Sequence, residues 1–213
     1  MIDLKKNSGT SGGNAMDVIR KSYMTLAVMC IISSVGVLYG TKVGFLKGAM
    51  GGLIGLGISI GLIILINVFR NSRMALPLLM GFGFLQGIFI SPLVYMSSST
   101  AVLSSLAGTA VILFGTSYLA LKNKLDSSGW GKYLFFVLIA IIITSLINIF
   151  LGSTILATLL SIGVIIVMSG YIVYDTQDAM RNPDTNYVVL TLNFYINILN
   201  IFINLLSLFS NED

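Results

Sequence analysis

The sequence has no histidine, only one cysteine and few charged residues. The absence of histidine excludes serine–histidine hydrolases, histidine metal sites and histidine pH switches. Because Cys30 is the only cysteine, an intrachain disulfide and a cysteine zinc site are also excluded. Charged residues make up 9% of the 213 residues, whereas about 25% is typical of globular proteins. This composition excludes an ordinary soluble domain.

The sequence consists largely of long apolar segments. Hydrophobic residues make up 56% of the chain, and a membrane-spanning helix needs about 20 mostly apolar residues. Seven segments satisfy this requirement: 22–39, 48–69, 74–97, 101–121, 132–151, 155–177 and 187–209. The segments predict an all-α integral membrane protein with seven transmembrane helices and a lipid bilayer as its partner. We divide the chain into a disordered cytoplasmic tail (1–21), a seven-helix domain (22–209) and a short C-terminal tail (210–213).

The basic residues indicate the orientation in the membrane. With the N-terminus inside, ten basic residues lie on the inner side: Lys5, Lys6, Arg20, Lys21, Arg70, Arg73, Lys122, Lys124, Lys132 and Arg181. Only Lys42 and Lys47 lie outside. The positive-inside rule therefore predicts a cytoplasmic N-terminus and an external C-terminus in a cell membrane. The basic residues form no stripe, so we expect no nucleic-acid partner.

Glycine and proline punctuate the second and third segments. The pairs Gly48/Gly52, Gly51/Gly55 and Gly57/Gly61 are each four residues apart, a spacing that lets helices approach closely in lipid. We interpret them as helix-packing positions. Pro77 and Pro92 are expected to kink or end the third helix, and Ser91-Pro92 to break it.

Acidic residues enter the apolar segments only near the end of the sixth. Asp175 and Asp178 lie at its cytoplasmic end, with Asp175 one turn deeper. An acid opposes the helix dipole at a C-terminus, and acids at membrane depth usually mark ion or proton paths. Asp175 is therefore the main functional candidate, and Asp178 is a secondary, solvated acid.

Asparagines form a stripe on the seventh segment at spacings of four, three and four: Asn193, Asn197, Asn200 and Asn204. This spacing puts them on one helix face, which should point away from lipid. Hydrogen bonds between helices would explain Asn200 and Asn204, and we also place Asn193, Asn197 and Asn200 with Asp175 on the candidate ion path. Segments six and seven form an antiparallel hairpin centred near Asn186, which places Asp175 and Asn197 at a similar depth and Asn193 one turn nearer the cytoplasm.

Oxygen atoms facing each other across this hairpin suit a hard cation such as calcium. Asp175 would be the metal ligand, and Asn197 its partner. Two residues do not complete a shell of six to eight oxygens, so the binding would be weak and shared with water or backbone carbonyls. Arg70 could instead pair with Asp175 and hold the path shut. We expect no obligatory cofactor.

Three stretches resemble the Bax inhibitor-1 family of membrane proteins: GFGFLQGIFISPLVYM (81–96), YIVYDTQDAM (171–180) and TNYVVLTLNFYINILNIFINLLSLF (185–209). The resemblance implies a bundle of seven helices with a central last helix. It also implies a pH-sensitive calcium leak, gated by two aspartates on the last two helices.

Only one of the two family aspartates is matched by an aspartate in this chain. The first falls on Asp175, whereas the second falls on Asn197, judged from the shared Asn200. Two close carboxylates can share one proton, but an Asp–Asn pair cannot. A leak is thus expected, influenced by pH through one carboxylate alone. The family's basic partner matches Arg70 best, with Arg73 as the alternative.

Other functions are also open to a membrane protein of this kind. The main alternative is a regulatory protein that binds membrane proteases or other membrane partners without ion flux, as some members of the resembling family do. We do not expect an enzyme, because the second acid of an intramembrane aspartyl protease is missing from segment seven. Protons and calcium are the expected ionic partners.

Overall fold

The computed structural model describes residues 8–40, 42, 49–122 and 126–210. These residues form seven α-helices and no strand: α1 (Ser8–Gly40), α2 (Ala49–Val68), α3 (Ala75–Met96), α4 (Ser99–Leu121), α5 (Trp130–Leu151), α6 (Thr154–Arg181) and α7 (Tyr187–Ser210). Six of them are long and apolar enough to cross a membrane, and α2 contributes a shorter apolar stretch, Ile54–Val68. The prediction of an all-helical membrane protein with seven helices is confirmed.

The N-terminal part of the chain differs from the prediction. Helix α1 begins at Ser8, so the expected disorder is wrong for residues 8–21. Ala15 and Ile19 are buried on the same face of α1 as Ser22 and Leu26. Packing along this face favours the helix although glycine and serine are poor helix formers. Residues 1–7 of the predicted tail, and 211–213 at the other end, lie outside the described residues.

Helix α3 runs through Pro92 to Met96, so the predicted break at Ser91-Pro92 is wrong. A proline has no N–H to donate to the carbonyl four residues earlier, which here is that of Ile88. The Ser91 hydroxyl donates to the Ile88 carbonyl instead, at 2.8 Å. In membrane helices, serine side chains can satisfy carbonyls in this way. Pro77 lies in the first turn, where no partner for its N–H is required.

The described chain divides into two compact units. The first contains α1, α2, α3 and residues 179–195, which are the end of α6 and the first part of α7. The second contains α4, α5, the rest of α6 and α7 from Ile196. Helix α7 is the most buried candidate span, with 61% of its apolar stretch buried, against 33% or less in the other five. The central position expected for this helix stays a prediction.

Helices α1 and α3 make the closest helix contact of the first unit through glycines. Gly36 and Gly40 of α1 are four residues apart, as are Gly83 and Gly87 of α3. A Cβ atom at Gly87 would collide with the Ser33 carbonyl, and one at Gly36 would collide with the backbone of α3. Bare glycine surfaces on both helices therefore permit backbone contact.

The predicted packing role of the α2 glycines holds only in part. A Cβ at Gly55 would lie 3.2 Å from the Phe89 ring, so this glycine does face a neighbour. A Cβ at Gly57 or Gly61 would meet no described atom within 4 Å. The packing prediction is therefore wrong for Gly57/Gly61 among the described residues. Gly48 lies outside the described residues, and so do the surroundings of Gly51 and Gly52.

The first part of α7 is anchored in the first unit by Tyr195. Its hydroxyl lies 2.8 Å from the Ser33 hydroxyl of α1 and 3.4 Å from the Gly83 carbonyl of α3. The ring packs edge-on against Phe82, with centroids 5.9 Å apart. A buried tyrosine needs such a partner for its hydroxyl. Tyr195 therefore fixes the first part of α7 against both α1 and α3.

Candidate functional site

The structure brings together Asp175 of α6 and Asn197 of α7, both in the second unit. The Asn197 Nδ2 atom donates a hydrogen bond to the Asp175 Oδ2 atom at 3.1 Å. Asp175 is half-buried, and Asn197 is 5% exposed. The equal depth predicted from the hairpin is therefore confirmed for this pair. Their part in an ion path stays a prediction.

The pair lies well inside the apolar helices. Asp175 is six residues before the end of α6, and Asn197 is ten residues after the start of α7. At a rise of about 1.5 Å per residue, these positions are roughly 9 and 15 Å from the helix ends. A charge at such a depth is costly unless protein groups or water solvate it. The amide of Asn197 supplies part of that solvation.

The direction of the hydrogen bond suits an ionised carboxylate, because an amide N–H donates to the carboxylate oxygen. A protonated Asp175 would keep one oxygen that can still accept from the Asn197 Nδ2 atom. Its hydroxyl could also donate to the Asn197 Oδ1 atom if the amide turned over. An Asp–Asn pair can thus stay hydrogen-bonded in both protonation states, whereas two ionised carboxylates at this distance would repel each other.

The side chains of Asn200 and Asn204 donate hydrogen bonds to backbone carbonyls of α7 itself. The Asn200 Nδ2 atom donates to the Ile196 carbonyl and the Asn204 Nδ2 atom to the Asn200 carbonyl, each at 2.8 Å. The expectation that these amide donors bond between helices is therefore wrong. A carbonyl four residues earlier is always within reach of such a side chain, so no partner helix is needed. Asn193 is half-buried and belongs to the first unit. The place of Asn193 and Asn200 on an ion path stays a prediction.

Arg70 and Arg73, the candidate latch residues, are exposed in the turn between α2 and α3 of the first unit. The Arg70 carbonyl accepts a hydrogen bond from the Asn186 amide at 3.0 Å. This contact fixes the backbone of the turn and leaves the guanidinium outside the bond. The pairing of Arg70 with Asp175 stays a prediction.

The Asn186 side chain makes further hydrogen bonds near this turn. Its Nδ2 atom also donates to the Asn71 Oδ1 atom at 3.0 Å. Its Oδ1 atom accepts from the backbone N–H of Val188 at 2.8 Å, which is the bond of a helix N-cap. One asparagine therefore caps α7 and ties its start to the α2–α3 turn.

Sequence reasoning missed Gln177, which lies two residues after Asp175 and is 1% exposed. Its Oε1 atom accepts from the Ser127 hydroxyl at 2.7 Å and from the Ser127 N–H at 3.0 Å. Its Nε2 atom lies 3.4 Å from the Ala120 carbonyl. A glutamine in an apolar helix is costly unless it is bonded, and that cost was the signal that could have identified it. Asp178, one residue further, is half-buried.

The metal-binding capacity of the site is small. Among the residues that the structure describes, no three of His, Cys, Asp or Glu lie close enough to hold a metal ion together. Asp175 and Asn197 can offer three side-chain oxygens, and calcium takes six to eight. The two side chains alone therefore cannot complete a calcium shell.

Comparison with known proteins supplies the family. The family model described as "Inhibitor of apoptosis-promoting Bax1" matches residues 15–213. The chain belongs to the Bax inhibitor-1 family. The match covers α1 from Ala15 and all of α2 to α7, so the resemblance found in three stretches of the sequence is confirmed for almost the whole chain.

Several bacterial proteins are similar to this chain over different lengths. An uncharacterised protein of Campylobacter jejuni is 29% identical over 203 residues, which cover 89% of this chain and 88% of that protein. One from Helicobacter pylori is 35% identical over 135 residues, or 61% and 59% of the two chains. An uncharacterised membrane protein of Streptococcus pyogenes is 31% identical over 112 residues, so the alignment spans about half the length of that relative. With its apolar helices, the chain is a multi-pass membrane protein.

Proposed function

We propose that this Bax inhibitor-1 family member is a calcium-permeable leak of the cell membrane, with Asp175 and Asn197 in the cation path. The observation that carries the proposal is the 3.1 Å contact between the Asp175 carboxylate and the Asn197 amide. It places a carboxylate deep in apolar helices, against the helix that is most buried. Structural stability alone gives little reason to keep an acid there.

In this proposal the observed hydrogen bond belongs to the resting state of the path. A cation that reaches Asp175 competes with the Asn197 N–H for the same carboxylate oxygen. Rotation of the Asn197 amide then presents its carbonyl oxygen to the ion, so one side chain serves both states. Water supplies the remaining oxygens, because the pair offers too few for a cage. Weak binding suits conduction, since an ion that is held tightly does not leave.

Protonation of Asp175 removes the charge that attracts the cation. The Asp–Asn pair can stay hydrogen-bonded when this happens, so protonation alone does not force the helices apart. Replacement of Asn197 by aspartate would place a second carboxylate beside Asp175, and the two would share a proton at moderate pH. The leak should therefore depend more steeply on pH in Asn197→Asp than in wild type.

The test is calcium entry into dye-loaded liposomes between pH 5 and 8. Wild type is expected to leak, and Asp175→Asn is expected to change the rate and abolish its pH dependence. Asp17→Asn is the matched control, because it removes one negative charge from an exposed position on α1. Empty liposomes give the background.

The direction of the change assigns the role of the carboxylate. A slower leak in Asp175→Asn would put the carboxylate in the conducting path. A faster leak would show that it holds the path shut, and Arg70→Gln should then give the same increase. If folded wild type carries no calcium at any pH, or if Asp175→Asn equals wild type throughout, the leak proposal is refuted. The regulatory alternative, binding of membrane proteases or other membrane proteins, would then be the function to test.

A further inference from the structure

One face of α6 packs along the start of α5 and the loop before it. The α6 residues on this face are Gly170, Tyr174 and Gln177, at the helical spacing of four and three. Their partners are Leu134, Gly131 and Ser127, in reverse order along the chain. The register is thus that of an antiparallel helix pair. We call these six residues the α5–α6 seam.

The seam is close because each helix contributes a glycine. A Cβ at Gly170 would lie 2.9 Å from the Leu134 Cδ2 atom. A Cβ at Gly131 would lie 2.8 Å from the Tyr174 Cζ atom. Both distances are shorter than the 3.5–4.0 Å at which carbon atoms make good contact. The side chains of Leu134 and Tyr174 therefore lie directly on the backbone of the opposite helix.

Hydrogen bonds close the seam at its loop end. Gln177 accepts two bonds from Ser127, and its amide nitrogen faces the Ala120 carbonyl at the end of α4. Gln177 and Ser127 are both buried. Bonds among buried polar groups are costly to break, because each group would be left without a partner. Gln177 thus joins α4, the α4–α5 loop and α6.

Asp175 points to the opposite side of α6. Successive residues of an α-helix are about 100° apart, so Asp175 and Gln177 are separated by about 200°. Gln177 contacts the loop on one side, and Asp175 contacts Asn197 of α7 on the other. The seam therefore sets the rotation of α6 about its own axis, which decides where the Asp175 carboxylate lies.

Small rotations of α6 are enough to break the pair. Side chains reach roughly 5–6 Å from a helix axis, so a rotation of about 20° moves the carboxylate by about 2 Å. Such a movement would lengthen the 3.1 Å bond to Asn197 well beyond hydrogen-bonding distance. The pair can form reliably only if something fixes the rotation of α6.

We propose that Gln177 is a positioning residue that holds α6 against the α4–α5 loop, so that Asp175 stays in reach of Asn197. The consequence for calcium flux rests on the proposed function, but the positioning itself does not. Gln177 acts through the rotation of the helix that carries Asp175.

The first part of the test asks whether Gln177 holds the loop. Amide hydrogen exchange of Ser127 is measured in full-length protein in detergent micelles. Gln177→Leu should speed up this exchange at least tenfold, because the Ser127 N–H loses its acceptor. Thr176→Val is the matched control. Thr176 is also buried and next to Asp175, but its hydroxyl bonds to the Ile172 carbonyl of its own helix.

The second part asks whether the hold extends to the pair. Asn197→Leu removes the amide that contacts Asp175 and should lower the midpoint of unfolding by SDS. If Gln177 positions Asp175, this loss should be at most half as large in a Gln177→Leu background, where the pair has already been loosened. In the Thr176→Val background the loss should equal that in wild type. Ser127→Ala, which keeps one of the two Ser127 bonds, is a milder variant and should give an intermediate loss.

The outcomes separate this proposal from the leak. Unchanged exchange at Ser127 in Gln177→Leu would overturn the hold on the loop. An equal effect of Asn197→Leu in the Gln177→Leu, Ser127→Ala and wild-type backgrounds would overturn the positioning role and leave Gln177 with a local structural one. Wild-type protein without calcium flux would refute the leak only, because neither measurement depends on flux. If both measurements succeed and wild type leaks, Gln177→Leu should also change the leak rate.

Discussion

The glycine contact between α1 and α3 leads to a prediction about stability. Alanine at position 87 would place its Cβ against the Ser33 carbonyl, 2.8 Å from the Ser33 carbonyl carbon and 3.0 Å from the Val37 nitrogen. All three atoms are backbone atoms of α1, so no side chain can move aside. The two helices must separate by about 1 Å to restore ordinary contact distances of roughly 3.5–4.0 Å between carbon atoms.

The magnitude follows from two opposing effects. Overpacking of this kind usually costs about 1–3 kcal/mol. The better helix propensity of alanine returns at most about 1 kcal/mol. Because the Tyr195 hydroxyl contacts Ser33 of α1 and Gly83 of α3, separation of the two helices would also stretch one of these contacts. We therefore expect Gly87→Ala to lower the free energy of unfolding by about 1–2 kcal/mol, on the scale of overpacked cores.

The chain offers a matched control at Gly61, where a Cβ would meet no described atom within 4 Å. Gly61→Ala should leave stability unchanged or raise it by up to about 1 kcal/mol through helix propensity alone. Both variants can be measured by SDS titration in mixed micelles with circular dichroism as the signal. Equal midpoints for Gly87→Ala and Gly61→Ala would refute the argument that backbone contact limits residue 87.

Two further predictions concern bonds that replace missing backbone partners, and the same titration checks both. Ser91→Ala should lower the free energy of unfolding by about 1 kcal/mol, because the Ile88 carbonyl loses its donor. Pro92→Ala added to the same chain should restore most of this loss by supplying an N–H. The absence of rescue would contradict this account. Asn186→Ala should cost about 1–2 kcal/mol by removing the α7 cap and the tie to the α2–α3 turn. Asn186→Ser keeps a capping oxygen for Val188 and should cost about half as much, whereas equal losses would show that the cap contributes nothing.

The helices and the Asp175–Asn197 pair could be predicted from the sequence for simple geometric reasons. A bilayer requires apolar segments of a minimum length, and seven segments of the sequence meet this requirement. Antiparallel helices rise at the same rate from their shared loop. Residues at equal distances from that loop therefore lie at the same depth, which is how Asp175 and Asn197 were matched.

The remaining site features depended on partners that the sequence does not specify. The Pro92 prediction counted the lost N–H but not the hydroxyl of the preceding serine. The α2 glycines had the same spacing as those of α1 and α3, yet only the contacts of each helix decide which glycines are close to a neighbour. Gln177 stood out in the sequence as a polar residue in an apolar segment. Its structural role, however, depends on its hydrogen bond with Ser127, fifty residues earlier.

Helices α5 and α7 should differ in the substitutions that they tolerate. Helix α5 is the most apolar of the candidate spans and has no buried residue, whereas α7 is less apolar and the most buried. Lipid chains adapt to any shape, so the outer face of α5 needs only to remain apolar. Protein neighbours are closely packed and do not adapt. Related sequences should therefore exchange aliphatic and aromatic residues freely along the outer face of α5, while residue size stays nearly constant along α7.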